Sequence, residues 1–187
     1  MVRLIMALAI GVLATAPAAA PVAVRDIEGH RWTPLTPARG ETNLLVFVSA
    51  DCPISNRYAP EIGRIVREYA SHDVHAWLVY TDLTVGPAGV KTNLAEFYAG
   101  TSIPAIVDTG FVLTAAVGVI VTPEAAIYTS TGRVYRGRID DQNPSLGQVR
   151  REPTRRDLRL SLDAVLTGRP VPHADVPAVG CFIERPR

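Results

Sequence analysis

A continuous apolar run at residues 43–49 leads almost directly into Cys52, and an amphipathic segment follows. An unbroken apolar run of this length is typical of a strand buried on both faces of a sheet. From Pro53 to about Ala70 the apolar side chains recur at near-helical spacing, which predicts a helix that Pro60 should kink. A buried strand that is followed directly by an amphipathic helix is typical of an α/β fold.

The rest of the chain alternates between strand-like and helix-like patterns. The predicted strands are 23–26, 31–33, 74–80, 105–107, 125–128 and 133–135. The predicted helices are 93–99, 111–117 and a last helix with Thr154 as its N-cap and Gly168 at its end. Strands that alternate with helices, followed by a closing hairpin and helix, predict a mixed central β-sheet with helices on both faces.

The first residues of the chain are typical of a secretory signal peptide, with one positive charge, a short apolar run and an Ala-x-Ala site. We predict cleavage after Ala18; an uncleaved N-terminal anchor is the alternative. The chain then divides into a signal peptide (1–18), a domain (19–168) and a proline-spaced C-terminal tail (169–187) that carries Cys181. The expected location is periplasmic or secreted, without stable membrane insertion after cleavage, and disulfides persist there.

Charge gives little indication of a polyanionic partner. The formal net charge is +1, so no global field draws the protein towards nucleic acid. The densest basic cluster, at residues 150–159, is interpreted as the solvated face of a late helix. The neighbouring pair Asp140-Asp141 is interpreted as part of a solvated turn rather than of a functional site.

Cys52 is the candidate nucleophile because it lies where the helix begins. Unpaired N–H groups and the helix dipole favour an anion there, and the thiolate is the reactive form of cysteine. The motif is Cys-x-x-Ser, so no second thiol is available within it, although the hydroxyl of Ser55 could donate to the sulfur. The carboxylate of Asp51 opposes the helix by raising the thiol pKa, and the sequence does not decide which effect wins.

The order of these features resembles the thioredoxin-like superfamily, over residues 22–168. The buried strand, Cys-x-x-Ser, the proline-containing helix and Val121-Thr122-Pro123-Glu124 before a hairpin carry the resemblance, which is nearest to the secreted redoxin (AhpC/TSA-like) branch. It implies a three-layer fold in which Pro123 is a cis-proline opposite Cys52. A fixed cis bond can present a backbone edge to an extended thiol partner.

The peroxidase motif of related proteins is only half present. Ser49 stands where that motif has a threonine or serine, but Leu45 occupies the position of its proline. Peroxidase chemistry in this family also uses an arginine near the thiolate. The candidates, which the sequence cannot rank, are Arg57, Arg133, Arg136 and Arg138.

Cys181 is the second thiol of the chain, and an even cysteine count in a secreted protein suggests a pair. A Cys52–Cys181 bridge closes a loop of about 130 residues, worth about 4–5 kcal/mol in the chain-entropy model. Cys181 is then either a resolving thiol or half of a static bridge. The remaining alternative leaves it unpaired.

Three functions remain open at this stage. The first is a secreted thiol–disulfide oxidoreductase that acts on protein thiols or disulfides with Cys52, Pro123, Ser55 and Cys181, helped by an external thiol reductant. The second is a peroxidase with the same Cys52, and the third is a non-enzymatic binding module with a structural bridge. No cofactor is predicted, although Cys52, Cys181 and His173 are a conceivable copper site.

Overall fold

The computed structural model describes residues 21–185, so the predicted signal peptide lies outside the described part of the chain. The strands are β1 (Val24–Arg25), β2 (Arg31–Trp32), β3 (Thr42–Val48), β4 (Val74–Tyr80), β5 (Ala105–Val107), β6 (Val121–Thr122), β7 (Glu124–Thr129), β8 (Gly132–Gly137), β9 (Asp175–Val176) and β10 (Cys181–Phe182). The helices are α1 (Pro53–Tyr69), α2 (Pro87–Phe97), α3 (Val112–Val117) and α4 (Asp157–Leu166).

Six of these strands form one mixed sheet in the order β5-β4-β3-β7-β8-β9. Strands β3, β4 and β5 are parallel, whereas β7 runs antiparallel to both β3 and β8. Two further pairs stand apart from this sheet, the predicted β1–β2 hairpin and an antiparallel pair of β6 with β10. The tail (169–187) thus supplies both β9, on the edge of the main sheet, and β10.

Strand β3 is buried on both faces, as its apolar run predicted. Successive side chains of a strand point to opposite faces. Leu44, Val46 and Val48 accordingly pack into a core with residues of α1, α2 and α4. Leu45 and Phe47 pack on the other face into a second core with residues of α3. The three-layer arrangement, with helices on both faces of a mixed sheet, is confirmed.

Helix α2 begins at Pro87, six residues before the predicted start at residue 93. The sequence before residue 93 reads as a loop because it contains glycine and proline. Proline is well tolerated in the first turn of a helix, where its missing N–H has no intrahelical partner to lose. Gly86 is the N-cap.

The interpretation of Asp140-Asp141 as a solvated turn is wrong, because both residues are buried. The hydroxyl of Tyr58 donates to Asp140 over 2.6 Å. Asp141 accepts hydrogen bonds from both the backbone N–H and the hydroxyl of Thr154, and from the backbone N–H of Arg155. Thr154 is therefore held by Asp141 and is not the N-cap of α4, which begins at Asp157.

The basic cluster at residues 150–159 is not simply a solvated face, because several of its arginines form ion pairs with buried carboxylates. Arg159 is mostly buried and donates to Glu61 over 2.8 Å and to Glu68 over 2.5 Å. Burial acts to raise the pKa of Glu61, but the hydrogen bonds from Arg159 and Arg64 outweigh it and hold that pKa below its ordinary value. These ion pairs tie α4 to α1 through charges that the sequence alone did not pair.

The Asp141 carboxylate should contribute measurably to stability. Burial acts to raise its pKa, but the hydrogen bonds from Thr154 and Arg155 and the charge of Arg150 lower it from 3.8 to about 2. A depressed folded-state pKa gives stability that is present above the unfolded value and is lost as the pH falls from about 4 towards 2. Asp141→Asn should therefore lower the free energy of unfolding at pH 7 by about 2 kcal/mol.

Urea denaturation of the oxidised protein between pH 7 and pH 2 measures this effect. The variant should also lose less stability than the wild type over the acid range. Asp73→Asn is the matched control, because Asp73 is exposed and its left-handed backbone suits asparagine equally well. Equal stabilities of wild type and Asp141→Asn at pH 7 would contradict the role given to this carboxylate.

Candidate functional site

Cys52 lies between β3 and α1 and is the N-cap residue of the helix. Its backbone is extended, with φ −88° and ψ 111°, and its Sγ accepts a hydrogen bond from the backbone N–H of Ser55 over 3.5 Å. Only 2% of Cys52 is exposed. The sulfur therefore sits against the N-terminal N–H groups of α1, where a thiolate is stabilised.

Cys52 and Cys181 form a disulfide, as the even cysteine count suggested. Their Cα atoms are 6.1 Å apart across a sequence separation of 129 residues. Cys181 lies in β10 and pairs with Thr122 of β6. The bridge therefore connects the start of α1 to a strand of the C-terminal tail.

The peptide bond between Thr122 and Pro123 is cis, as the resemblance implied. It separates β6 from β7, and Thr122 lies next to the bridge. The carbonyl oxygen of Thr122 is 3.3 Å from the Sγ of Cys52. The residue before the cis-proline thus contacts one cysteine of the bridge and pairs with the other.

Ser55 is buried beneath Cys52 and reaches the sulfur with its backbone rather than its side chain. Its hydroxyl oxygen lies 3.4 Å from the backbone nitrogen of Ser49, from which it accepts a hydrogen bond. The sequence suggested that the hydroxyl would donate to the sulfur. In the folded chain the first turn of α1 brings the Ser55 amide to the sulfur instead.

A cavity of about 300 Å³ opens beside the bridge. It is lined by Ser49, Asp51, Cys52, Thr81, Asp82, Leu83, Thr84, Thr122, Cys181, Phe182, Ile183 and Glu184. The charged residues in this lining are Asp51, Asp82 and Glu184, and all three are acidic. The cavity therefore carries negative charge beside the two sulfurs.

Asp82 is one of the lining residues that the sequence did not single out. It follows β4. Its carboxylate accepts hydrogen bonds from the hydroxyl of Ser49 over 2.5 Å and from the backbone N–H of Ala50 over 3.1 Å. It therefore fixes the loop between β3 and Cys52. The signal that would have found it is its position just beyond the carboxyl end of a strand parallel to β3, an edge where sites commonly form.

The four arginines considered as partners for the thiolate are engaged with other residues, and none lines the cavity. The contacts are Arg57 with Asn143, Arg133 with Asp175, Arg136 with Glu124 and Asp175, and Arg138 with Asp157. The side chains that would supply positive charge to the sulfur are thus held on other parts of the surface.

His173 lies in an exposed part of the tail. Within residues 21–185, no group of three or more histidine, cysteine, aspartate or glutamate side chains is arranged to hold a metal ion. Both sulfurs of the conceivable copper site are bonded to each other. In the same part of the chain, none of the helices has the length and apolar character needed to cross a bilayer.

Comparison with solved structures finds the same architecture over most of the chain. An uncharacterized conserved protein from Geobacillus kaustophilus matches with a TM-score of 0.75 and 25% identity, covering 90% of this chain and 90% of that chain. A hypothetical protein from Sinorhizobium meliloti 1021 matches with a TM-score of 0.72 and 24% identity, covering 92% of this chain and 95% of that chain.

A secreted Mycobacterium tuberculosis disulfide oxidoreductase homologous to E. coli DsbE matches with a TM-score of 0.50 and 17% identity, covering 60% of this chain and 78% of that chain. No model of a known protein family matches the sequence, and no curated protein matches it significantly. The similarity therefore rests on architecture, which is shared by a thioredoxin-like protein from Aeropyrum pernix with a TM-score of 0.51 and 16% identity, covering 62% of this chain and 80% of that chain. The chain has the thioredoxin-like fold.

Proposed function

We propose that the protein is a secreted thiol–disulfide oxidoreductase that cycles between the Cys52–Cys181 disulfide and the corresponding dithiol. The observation that carries the proposal is the bridge itself, which joins the N-cap cysteine of α1 to a cysteine paired with the cis-proline strand, beside an open cavity. A purely structural bridge has no need of a helix N-terminus or of a cavity at its sulfurs. The activity named for the Mycobacterium tuberculosis protein of the same fold is consistent with this function.

The signal-like N-terminus supports a periplasmic or secreted location, which the proposal requires because the bridge must form in an oxidising compartment. The substrates are then protein thiols or disulfides, and an external thiol returns the oxidised protein to the dithiol. The same proposal includes the division of the chain into a signal peptide (1–18), a domain (19–168) and a C-terminal tail (169–187).

The two sulfurs have different roles in the oxidised protein. Cys52 is 2% exposed, whereas Cys181 is partly exposed. Thiol–disulfide exchange favours attack on the accessible sulfur and departure of the thiolate with the lower pKa. The incoming thiolate therefore attacks Cys181, a new disulfide forms there, and Cys52 leaves as a thiolate stabilised by the N-terminus of α1 and the Ser55 N–H.

The cycle closes without any further oxidant. A second external thiolate then attacks the external sulfur of the mixed disulfide. A disulfide of the two small thiols forms, and Cys181 leaves as a thiolate, which gives the dithiol form. In that form the Cys52 thiolate attacks a substrate disulfide, so that one substrate sulfur is bonded to Cys52 and the other leaves as a thiolate. Cys181 then attacks Cys52, which releases the substrate reduced and restores the bridge.

The peroxidase alternative and the AhpC/TSA branch have weaker support. Positive charge near the thiolate would favour peroxide reduction, but the charged lining of the cavity is acidic and the candidate arginines pair with other residues. The hydroxyl of Ser49, the one matching motif residue, is bonded to Asp82. We therefore favour the thiol–disulfide oxidoreductase over the peroxidase.

The direction of attack can be tested by brief treatment of the oxidised protein with glutathione, followed by acid quenching, alkylation and peptide mass spectrometry. We expect glutathione on Cys181 and the alkyl group on Cys52, because Cys181 carries the accessible sulfur. Glutathione mainly on Cys52 at the earliest times would contradict the assignment. A bridge that stays closed under native conditions would identify it as structural.

The variants Cys52→Ser and Cys181→Ser should differ in kind when each is incubated with scrambled ribonuclease. Cys181→Ser should accumulate a mixed disulfide with the substrate, because Cys52 can attack but nothing within the chain releases the product. Cys52→Ser should exchange disulfides no faster than buffer alone. Non-reducing electrophoresis and recovered ribonuclease activity measure both effects, and wild-type rates in both variants would exclude a catalytic bridge.

A further inference from the structure

Apart from the disulfide and the packing of Ile183, the strand that carries Cys181 is attached to the rest of the protein through its backbone. β10 pairs antiparallel with β6, with Cys181 opposite Thr122 and Phe182 opposite Val121. The N–H of Ile183 donates to the carbonyl of Ile120 over 3.0 Å. In the described part of the chain, β10 is the only strand that pairs with β6. Release of the tail therefore leaves β6 with unpaired backbone groups, which can pair with another extended segment.

The residue before the cysteine must be glycine in this register. A Cβ on Gly180 would lie 2.1 Å from the carbonyl oxygen of Thr122 and 2.6 Å from its carbonyl carbon. These are backbone atoms, so no side-chain rotation relieves the overlap. Any segment that brings a cysteine to the same place opposite Thr122 meets the same restriction.

The two positions after the cysteine differ in what they contact. Phe182 is 74% exposed, so the position directly after the cysteine places little restriction on the side chain that occupies it. Ile183 is partly buried and packs against the core formed by residues of β3, β4 and α3. The second position after the cysteine therefore favours an aliphatic side chain.

We propose that β6 and the adjoining cavity bind an extended Gly-Cys-x-aliphatic segment of a partner protein, in the place that the tail vacates when the bridge opens. This inference rests on the proposed function, because the segment reaches Cys52 only in the dithiol form. The tail is then an internal occupant of the substrate groove, and its sequence Gly180-Cys181-Phe182-Ile183 copies the segment that the groove accepts.

The test uses the full chain carrying Cys181→Ser and the peptide Val-Gly-Cys-Phe-Ile-Glu, which copies residues 179–184. The peptide cysteine is supplied as a mixed disulfide with nitrothiobenzoate. The Cys52 thiolate attacks the peptide sulfur, the Cys52–peptide disulfide forms, and nitrothiobenzoate leaves as a coloured thiolate that reports the rate. Each rate is divided by the rate of the same peptide with glutathione, which removes differences in intrinsic reactivity.

We expect replacement of the peptide glycine by alanine to slow the reaction about tenfold, as an overlap in a packed site does. Replacement of the peptide isoleucine by aspartate should slow it similarly, because an aspartate side chain cannot pack against the apolar core. Replacement of the peptide phenylalanine by serine is the matched control and should leave the rate unchanged, because that position is exposed.

A second variant, Gly180→Ala with Cys181→Ser, addresses competition by the tail. The added Cβ overlaps Thr122 and should loosen the tail, so this protein should react faster with the glycine peptide than Cys181→Ser does. Equal normalised rates for all peptides in both variants would overturn the proposed groove.

The outcomes also separate this proposal from the proposed function. Failure of every peptide to react, while the small disulfide dithiobis(nitrobenzoate) still modifies Cys52, would overturn the groove and leave the redox site standing. Failure of the small disulfide as well would show that Cys52 is unreactive, and both proposals would then be overturned.

Discussion

The junction of β3 with α1 is the constraint on which the site depends. Both faces of β3 are packed against apolar cores, so its register cannot slip by one residue without turning every buried side chain to the other face. That register fixes where the chain leaves the sheet and therefore where Cys52 meets the first turn of α1. The carboxylate of Asp82 then holds the connecting loop through Ser49 and Ala50.

The second determinant is the return of the chain to this junction from its far end. The tail contributes β9 to the main sheet before β10 pairs with β6. Pairing at two places brings Cys181 to the sulfur of Cys52 across 129 residues. The bridge is thus supported by backbone pairing as well as by its covalent bond.

The lining of the cavity beside the bridge combines negative charge with exposed apolar side chains. Asp51 and Asp82 give negative charge, and Leu83 is a large apolar side chain that remains exposed. Phe182 and Glu184 also line the cavity, but they lie on the tail that the proposed partner segment replaces. Opposite charges on two molecules speed their association, and buried apolar contacts stabilise the complex once it has formed. A basic, partly apolar segment is complementary to both.

The sequence by itself determined the α/β architecture, the buried character of β3 and the position of Cys52 at a helix N-terminus, and the even cysteine count suggested a pair without excluding an unpaired Cys181. The architecture and the position of Cys52 follow from hydrophobic periodicity and turn residues, which are local properties of the sequence. The same local reasoning missed the start of α2, because a proline in a first turn resembles one in a loop. It also placed the Thr154 cap wrongly.

Only the tertiary structure decided which groups pair across the fold. Asp141 accepts hydrogen bonds from the backbone N–H and the hydroxyl of Thr154, and Arg159 forms an ion pair with Glu61. The backbone N–H of Ser55, rather than its hydroxyl, donates to the sulfur of Cys52. It also decided that Gly180 must lack a side chain, since only the pairing of β10 with β6 brings Thr122 against it. A sequence lists charges and small residues, but their partners depend on distances that exist only once the chain has folded.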